Sequence, residues 1–305
     1  MTMLSGVRAF AESIQLPVRP INEVSMIFNH LLRDNPIVFY TSSFSLSTEM
    51  HRKRCYFNPE YKYSRQFSKE HMNVISDYLR IFDPAKGKSD FEKELYVHDY
   101  CLSNFRYDYT FSDYSYTPLG LVLNGTAVCE GISKFVKLAL DYLGIRNLVV
   151  SGKAKNPVND NKTEGHAWNI VRIDGKLYHL DVTFDMTLKN KMNRYDYFNL
   201  SDDDIKKDHI ITSEAPKCVT VGGDYYSRKA LTAPNPADLA ALIERNLKSG
   251  KTHFIVRLEG ASSSGKIADR VMQIAVDKYM SVYRKSASLE LGYNSSQMVF
   301  EIDFG

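Results

Sequence analysis

The sequence has few cysteines, a single tryptophan and no long apolar run. The four cysteines are widely spaced and include no CxxC pair, so neither a disulfide framework nor a zinc motif is predicted, and free thiols in a reducing compartment are the simpler interpretation. They are Cys55, Cys101, Cys129 and Cys218. The longest apolar stretches, such as residues 119–123, are far shorter than the ~18 residues that span a bilayer. No membrane segment is therefore predicted.

The sequence also lacks an excess of charge of one sign. Its 39 Lys and Arg exceed its 36 Asp and Glu by three, and the two signs are mixed along the chain. Proteins that bind nucleic acids or anionic membranes usually concentrate their basic residues, so neither partner is predicted. The first fifteen residues lack the cationic start and apolar block of a secretory signal, and the expected location is therefore cytoplasmic.

Two proline-containing joints, at residues 84–90 and 231–238, divide the chain into three predicted domains. We expect an N-terminal α/β unit at 1–88, a central unit at 89–215 and a C-terminal α/β unit at 216–305. Both outer units contain a helical pattern followed by a strand pattern. A divergent repeat and a chance similarity both explain this likeness.

Within the N-terminal unit the pattern predicts helix, strand, strand, helix. Apolar residues at helical spacing end before Asn35-Pro36, and a proline there is typical of a helix end. The run IVFY at residues 37–40 follows, and its composition predicts a strand. In the central unit, Ser89 and Glu92 match a capping box, which predicts a helix start.

The central unit contains a helix that begins near a cysteine. The predicted apolar stripe ends before Gly144, where a helix C-terminus favours glycine, and consists of Ile132, Phe135, Val136, Ala139, Leu140 and Leu143. Cys129 is then at the first turn, where unpaired backbone N–H groups and the helix dipole stabilise a thiolate. Gly125 and Gly131 leave room for a substrate backbone to approach. A small buried core residue is the alternative interpretation of Cys129.

A hairpin is the second predicted element of the central unit. Asp174-Gly175 between alternating apolar residues predicts a two-residue type I′ turn. If Ile173 pairs with Lys176, Trp168 lies opposite Asp181. His166 and Asp181 are then diagonal neighbours on one face of the hairpin. A slip of one residue in the register would place them on opposite faces.

These three residues fill the chemical roles of a nucleophile, a base and an orienting group. Cys129 would attack a carbonyl carbon, His166 would move the proton, and Asp181 would fix the tautomer of the imidazole. The backbone N–H of Cys129 and one further donor would hold the oxyanion.

Asp185 competes with Asp181 for the orienting role, and packing roles are expected for His179 and Trp168. The remaining cysteines and His209 have no partners at useful spacing and are expected to be structural, while Asp202 to Asp204 (DDD) are expected to form a solvated helix start.

The sequence resembles the transglutaminase-like superfamily, in its bacterial peptidase-like branch. The resemblance covers roughly residues 90–215 and rests on VCEGISKF…LGI (128–145), GHAWNIV…LYHLDVTFD (165–185) and YDYFNLSDDDIKKDH (195–209). It implies an α+β fold with a papain- or transglutaminase-like core, in which a nucleophile helix packs on an antiparallel sheet. It also implies that Cys129, His166 and Asp181 are the catalytic residues.

The resemblance implies a cysteine enzyme that handles amide bonds through a thioester, with no cofactor and no metal. We expect a hydrolase of peptide or amide bonds whose partner is a peptide or protein substrate. The alternatives are a transglutaminase-type acyl transferase and a non-catalytic peptide-binding module. Many bacterial relatives carry a Tyr about ten residues before the nucleophile. Here Leu119 occupies that place, which leaves Ser115 and Tyr116 as candidates for the second oxyanion donor.

A phosphate-loop pattern, GASSSGK at residues 260–266, follows a predicted strand. Ile267 stands where such a loop needs the magnesium-binding Ser or Thr. The remaining chain is also too short for the parallel sheet of a nucleotide-binding domain. A polar connection is therefore favoured over nucleotide binding.

Overall fold

The protein is described by a computed structural model over residues 2–155, 162–259 and 265–305. The α-helices of these residues are α1 (Met3–Arg8), α2 (Ile21–Asp34), α3 (Arg65–Tyr78), α4 (Asp90–Asn104), α5 (Cys129–Tyr142), α6 (Val182–Leu188), α7 (Asp202–Ile205), α8 (Tyr225–Arg228), α9 (Pro236–Lys248) and α10 (Gly265–Tyr283). Within these ranges no helix is both long and apolar enough to cross a membrane.

The strands of the same residues are β1 (Ile14–Leu16), β2 (Thr41–Glu49), β3 (Arg54–Tyr61), β4 (Arg106–Tyr107), β5 (Thr126–Ala127), β6 (Asn147–Lys155), β7 (Thr163–Ile173), β8 (Lys176–Leu180), β9 (Phe198–Leu200), β10 (His209–Ile211), β11 (Thr232–Ala233), β12 (His253–Leu258), β13 (Leu289–Asn294) and β14 (Val299–Phe304). Their sheets have the orders β1-β3-β2, β10-β6-β7-β8-β9, β11-β12-β14-β13 and β4-β5. Helices and mixed sheets together confirm the predicted α+β class.

The chain folds into two compact units, each built from several separate segments. Unit 1 comprises Met1–Gly152, Gly165–Gly175 and Thr212–Ala215, and unit 2 comprises Lys153–Glu164, Lys176–Ile211 and Pro216–Gly305. The three-domain division of the sequence analysis, including the repeat, stays a prediction.

The core of unit 1 is built on α5. The six apolar residues of its predicted stripe are all buried. Phe135 is at the centre of an aromatic cluster, with its ring centroid 5.1 Å from that of Phe105, 6.0 Å from Tyr78 and 6.2 Å from Phe82. Gly144 follows the helix with φ 79°, the left-handed conformation expected after a helix end. This packing fixes the orientation of the helix that begins at Cys129.

The N-terminal half of unit 1 has the predicted element order but a different first strand. Residues 37–40 are not a strand; β2 begins at Thr41. The chain after Asn35 forms a turn instead, in which the Val38 N–H donates to Asn35 O at 2.9 Å. Val38, Phe39 and Tyr40 are buried in this connection, so burial rather than sheet pairing explains the apolar composition of the run.

The capping box at the start of α4 is confirmed. The Glu92 N–H donates to Ser89 Oγ at 3.4 Å, and the Ser89 N–H donates to Glu92 Oε2 at 3.1 Å. Each side chain therefore satisfies a backbone donor that the first helical turn leaves unpaired. The helix begins where the sequence predicts.

The hairpin turn between β7 and β8 is also confirmed. Asp174 and Gly175 have φ values of 51° and 81°. A type I′ turn requires positive φ at both central residues, and Asp-Gly is a favoured pair for it. Because β7 ends at Ile173 and β8 begins at Lys176, the turn has the predicted length of two residues.

Unit 2 contains a four-stranded sheet covered by α9 and α10. Within this sheet β11 and β12 are parallel, and β12, β14 and β13 are antiparallel neighbours. The core between helices and sheet includes Leu239, Ile243, Val256, Val271 and Phe300. Most of the GASSSGK run lies outside the described residues, and α10 begins at its Gly265.

Candidate active site

Cys129 is the first residue of α5, as the sequence predicts. The preceding Val128 is the N-cap and makes no side-chain hydrogen bond to the helix. The first-turn N–H groups therefore receive no capping side chain from that position, and they remain available to an anionic sulfur at Cys129. Cys129 is partly exposed, whereas Cys55, Cys101 and Cys218 are buried. Among the four thiols, Cys129 combines a helix start with access from solvent.

A short loop before α5 fixes the start of this helix. The Val128 N–H donates to Ser115 O at 3.1 Å. Asp108 accepts hydrogen bonds from Ser115, Thr110 and Ser112, and these bonds lower the pKa of its carboxyl. The loop approaches α5 so closely that a Cβ on Gly131 would overlap Ser115 O. Gly131 therefore allows the loop to pack directly on the first turn.

The same loop narrows the choice of a second oxyanion donor. The Ser115 side chain is fully buried and donates to Asp108, so it is not directed at a substrate. Tyr116 is 50% exposed, with Lys134 Nζ donating to its backbone O at 3.3 Å. Of the two residues considered from the sequence, Tyr116 remains the candidate.

His166 lies on β7, in unit 1 with Cys129. Its ring stacks on the buried Trp168 ring with centroids 5.9 Å apart and an interplanar angle of 17°. Alternate residues of a strand share a face, so this contact is the one that the hairpin pattern predicts. Trp168 thus has the expected packing role and restricts the orientation of the imidazole.

A buried contact joins the helix of Cys129 to the strand of His166. Asn169 Nδ2 on β7 donates to Ser133 O on α5 at 3.0 Å, and both residues are buried. This hydrogen bond satisfies a helix carbonyl group and fixes α5 against β7 within unit 1. The packing of the nucleophile helix on a strand is the arrangement that the resemblance implies.

Asp181 lies in unit 2, directly after β8, where it is the N-cap of α6. Its Oδ1 accepts the Phe184 N–H at 3.1 Å. Its Oδ2 is 3.1 Å from His209 Nε2, and the other ring nitrogen of His209 is 2.6 Å from Asp208 Oδ1. Asp181 is 1% exposed and both of its oxygens have partners, so its carboxylate is held in one orientation.

The structure corrects the expectation for His209, which the sequence analysis left without a partner. His209 is buried, 28 residues after Asp181 along the chain, and contacts that carboxylate. Tyr197 extends the network, since its hydroxyl donates to Asp208 Oδ2 at 2.6 Å. Burial raises the pKa of Tyr197 well above its ordinary value, which keeps the hydroxyl a donor.

Asp185, the competing orienter, has a different partner. It is fully buried in α6, and its Oδ1 accepts the Tyr197 N–H at 3.0 Å. Asp202 departs from the expected solvated helix start, because its Oδ1 is 2.9 Å from His179 Nε2 and its side chain is only 14% exposed.

A match to a known family covers this part of the chain. Residues 82–182 match the family model Transglut_core, described as the transglutaminase-like superfamily. The matched segment includes α4, α5 and the β7–β8 hairpin, and it contains Cys129, His166 and Asp181. This central segment, about a third of the chain, is similar to the transglutaminase-like superfamily.

Solved structures give weaker likenesses. A crystal structure of a TGase is 17% identical with a TM-score of 0.32, and the match covers 59% of this chain and 53% of that one. A candidate cysteine protease from Cytophaga hutchinsonii is 13% identical with a TM-score of 0.31, covering 46% of this chain and 61% of that protein. A candidate protease from Parabacteroides distasonis is 13% identical with a TM-score of 0.28, covering 46% and 36%. The chain thus spans about half the length of the first of these structures, and no curated protein matches it.

Proposed function

We propose that this protein is a cysteine-dependent hydrolase of peptide or amide bonds. The observation that carries the proposal is Cys129, a partly exposed thiol at the first residue of α5 inside the transglutaminase-like segment. A nucleophilic cysteine needs access to substrate, which the partial exposure of Cys129 provides. It also needs hydrogen-bond donors beside its sulfur, which the unpaired backbone N–H groups of a helix start supply. The buried Cys55, Cys101 and Cys218 lack this access.

His166 is the proposed base and Asp181 its proposed orienting group. The type I′ turn supports this pairing, because a turn of two residues sets the register that places the two residues diagonally across the hairpin. A carboxylate offers about four acceptor sites, so several donors can share Asp181. Phe184 and His209 account for two of the donors.

The proposed reaction has two halves. In the first, the Cys129 thiol gives its proton to His166, and Sγ bonds to the substrate carbonyl carbon. The C–N bond then breaks as His166 protonates the leaving amine, which leaves a thioester on Cys129. In the second half, His166 removes a proton from water, the hydroxide attacks the thioester, and the acid product leaves as Sγ regains the proton.

Two other functions share the same site. In a transglutaminase-type acyl transferase, a primary amine rather than water attacks the thioester, which requires exclusion of water from the intermediate. Tyr109 and Tyr116, which precede α5 in the chain, are 75% and 50% exposed, so these rings do not form a buried wall by themselves. A non-catalytic peptide-binding module would use the same surface without forming a thioester. Hydrolysis is favoured because water needs no dedicated binding site.

The test supplies a glutamine-containing protein together with a tagged primary amine. Release of hydrolysis product, measured as glutamate in place of glutamine or as new peptide fragments, and incorporation of the tag are followed in the same reaction. Ammonia is not counted as release, because both paths liberate it when the thioester forms. We expect release to exceed incorporation, and both to disappear in Cys129→Ala. The matched control is Cys55→Ala, which removes a buried thiol of unit 1 and leaves release unchanged.

Two outcomes would overturn the proposal. Tag incorporation faster than release, dependent on Cys129, would make the protein an acyl transferase. An absence of both activities over a broad panel of peptides, together with a Cys129 that electrophiles do not modify, would favour the binding module.

A further inference from the structure

Three side chains of unit 2, of types that can ligate a metal, lie together on separate segments of the chain. They are His179 on β8, Asp202 at the first residue of α7, and Cys218 in the connection that follows β10. A ring nitrogen, a carboxylate oxygen and the sulfur lie within 4.8 Å of one another. His179 and Cys218 are fully buried, and the Asp202 side chain is 14% exposed. Burying polar side chains costs free energy unless each one has a hydrogen-bonding partner or binds a metal ion.

The hydrogen bond between His179 Nε2 and Asp202 Oδ1, at 2.9 Å, accounts for two members of the cluster. The Cys218 thiol lies 3.9 Å from Pro216 O, which is a long contact for a weak hydrogen-bonding group. Nitrogen, oxygen and sulfur donors together are a ligand set that zinc uses. Zinc–ligand bonds of roughly 2.0 to 2.3 Å place tetrahedral ligand atoms about 3.3 to 3.5 Å apart. The existing separations need only small side-chain shifts to reach that geometry.

The backbone already ties two of the ligands together. The Cys218 N–H donates to Asp202 Oδ1 at 3.1 Å, and the Asp202 N–H donates to Cys218 O at 2.7 Å. The other carboxylate oxygen of Asp202 lies 3.6 Å from the exposed Lys206 Nζ. Oδ1 therefore faces the cluster, and hydrogen bonds of the backbone hold both residues in place, which is typical of metal sites.

The electrostatics of the cluster fit a divalent cation. A neutral imidazole offers one ring nitrogen with a lone pair to a metal. A thiolate and a carboxylate together balance the charge of one divalent ion, so a metal complex with these ligands is neutral in the buried site.

We propose that His179, Asp202 and Cys218 form a structural site for a zinc-class divalent cation. His179 Nε2, Asp202 Oδ1 and Cys218 Sγ are the protein ligands, and the partly exposed side of Asp202 admits a fourth ligand from solvent. On binding, the ring proton that His179 Nε2 donates to Asp202 moves to Nδ1, and the Cys218 thiol releases its proton to solvent as the sulfur–metal bond forms. The ion joins β8, α7 and the connection after β10 within unit 2. This site does not depend on the proposed hydrolase reaction.

The experiment uses cobalt as a spectroscopic probe in the full chain carrying Cys129→Ala, so that the candidate nucleophile contributes no signal. After treatment with a chelator, Co²⁺ is titrated and the visible and near-ultraviolet spectra are recorded. We expect tetrahedral d–d bands and a thiolate-to-cobalt charge-transfer band that saturate near about one equivalent and disappear when Zn²⁺ is added. Native mass spectrometry measures the stoichiometry of zinc independently.

Two variants assign the ligands. Adding Cys218→Ser removes the charge-transfer band, and His179→Gln weakens binding of both metals, while circular dichroism reports whether each variant is folded. Cys55→Ser is the matched control, since it removes another buried thiol and keeps the band. The proposal is overturned if the folded parent chain shows no charge-transfer band and binds no zinc, or if the band survives in Cys218→Ser. Because Cys129 is absent throughout, a failed metal site and a failed hydrolase proposal give different results.

Discussion

His209 Nε2 and Asp181 Oδ2 are 3.1 Å apart in the buried interior of unit 2. The second ring nitrogen of His209 is 2.6 Å from Asp208 Oδ1, so both nitrogens face carboxylates. The proposed orienting carboxylate is therefore itself oriented by a histidine that is far from it in the chain.

Replacing His209 tests whether its hydrogen bond holds the Asp181 carboxylate in the orientation that the reaction needs. We expect His209→Asn to lower kcat roughly 10- to 100-fold with KM nearly unchanged, since a lost hydrogen bond to a charged group costs about 1.5–3 kcal/mol. The comparison is Tyr197→Phe, which removes a hydroxyl that contacts Asp208 rather than Asp181. A loss in Tyr197→Phe as large as that in His209→Asn would indicate general destabilisation instead of a specific effect on Asp181.

The orienting role itself is tested by two conservative substitutions. In Asp181→Asn, the proposed orienting carboxylate is lost, so the tautomer of His166 should no longer be fixed. We expect kcat to fall by up to ~10⁴-fold, the scale of the same change in a serine-protease triad. Asp185→Asn, in a residue that accepts the Tyr197 N–H, should have a much smaller effect on kcat at equal stability. Steady-state kinetics on folded variants measure both. The opposite ranking would transfer the orienting role to Asp185.

Gly131 should tolerate no side chain. A Cβ there overlaps Ser115 O and approaches Thr117 O to 3.0 Å. We expect Gly131→Ala to reduce the free energy of unfolding by about 1–3 kcal/mol, because the loop must move away from α5. Urea denaturation measures the change. Gly87→Ala is the control, since its Cβ meets nothing within 4 Å, and equal stability of the two variants would refute the argument.

The ion pairs of Glu244 make the stability of unit 2 depend on pH. Hydrogen bonds from Lys248 and Lys278, each at 2.6 Å, lower the pKa of Glu244 from 4.5 to about 2. Because the folded pKa is below the ordinary one, the stabilisation is complete above pH 4.5 and is lost as the pH falls towards 2. The Tm difference between the parent protein and Glu244→Gln should therefore be largest near about pH 6 and shrink below pH 4.5. A Tm difference that does not change over this range would contradict the assignment.

Local patterns predicted the elements that carry the site. The helix from Cys129, the capping box of Ser89 and the Asp174-Gly175 turn depend on neighbours in the chain, so sequence spacing determines them. The misplaced strand at residues 37–40 shows the limit of this reasoning, since an apolar run is buried equally well in a connection. His209 on Asp181 and Cys218 near His179 join distant segments, and no periodicity in a single sequence reports such contacts.

Alkylation by iodoacetamide, mapped by mass spectrometry on the folded chain, tests the central claim that Cys129 is an activated nucleophile. We predict that Cys129 reacts faster than a free small thiol at neutral pH, that His166→Ala lowers this rate, and that the buried Cys55, Cys101 and Cys218 stay unmodified. Reaction of Cys129 no faster than the free thiol, with no change in His166→Ala, would show a cysteine that is merely accessible and would contradict the account.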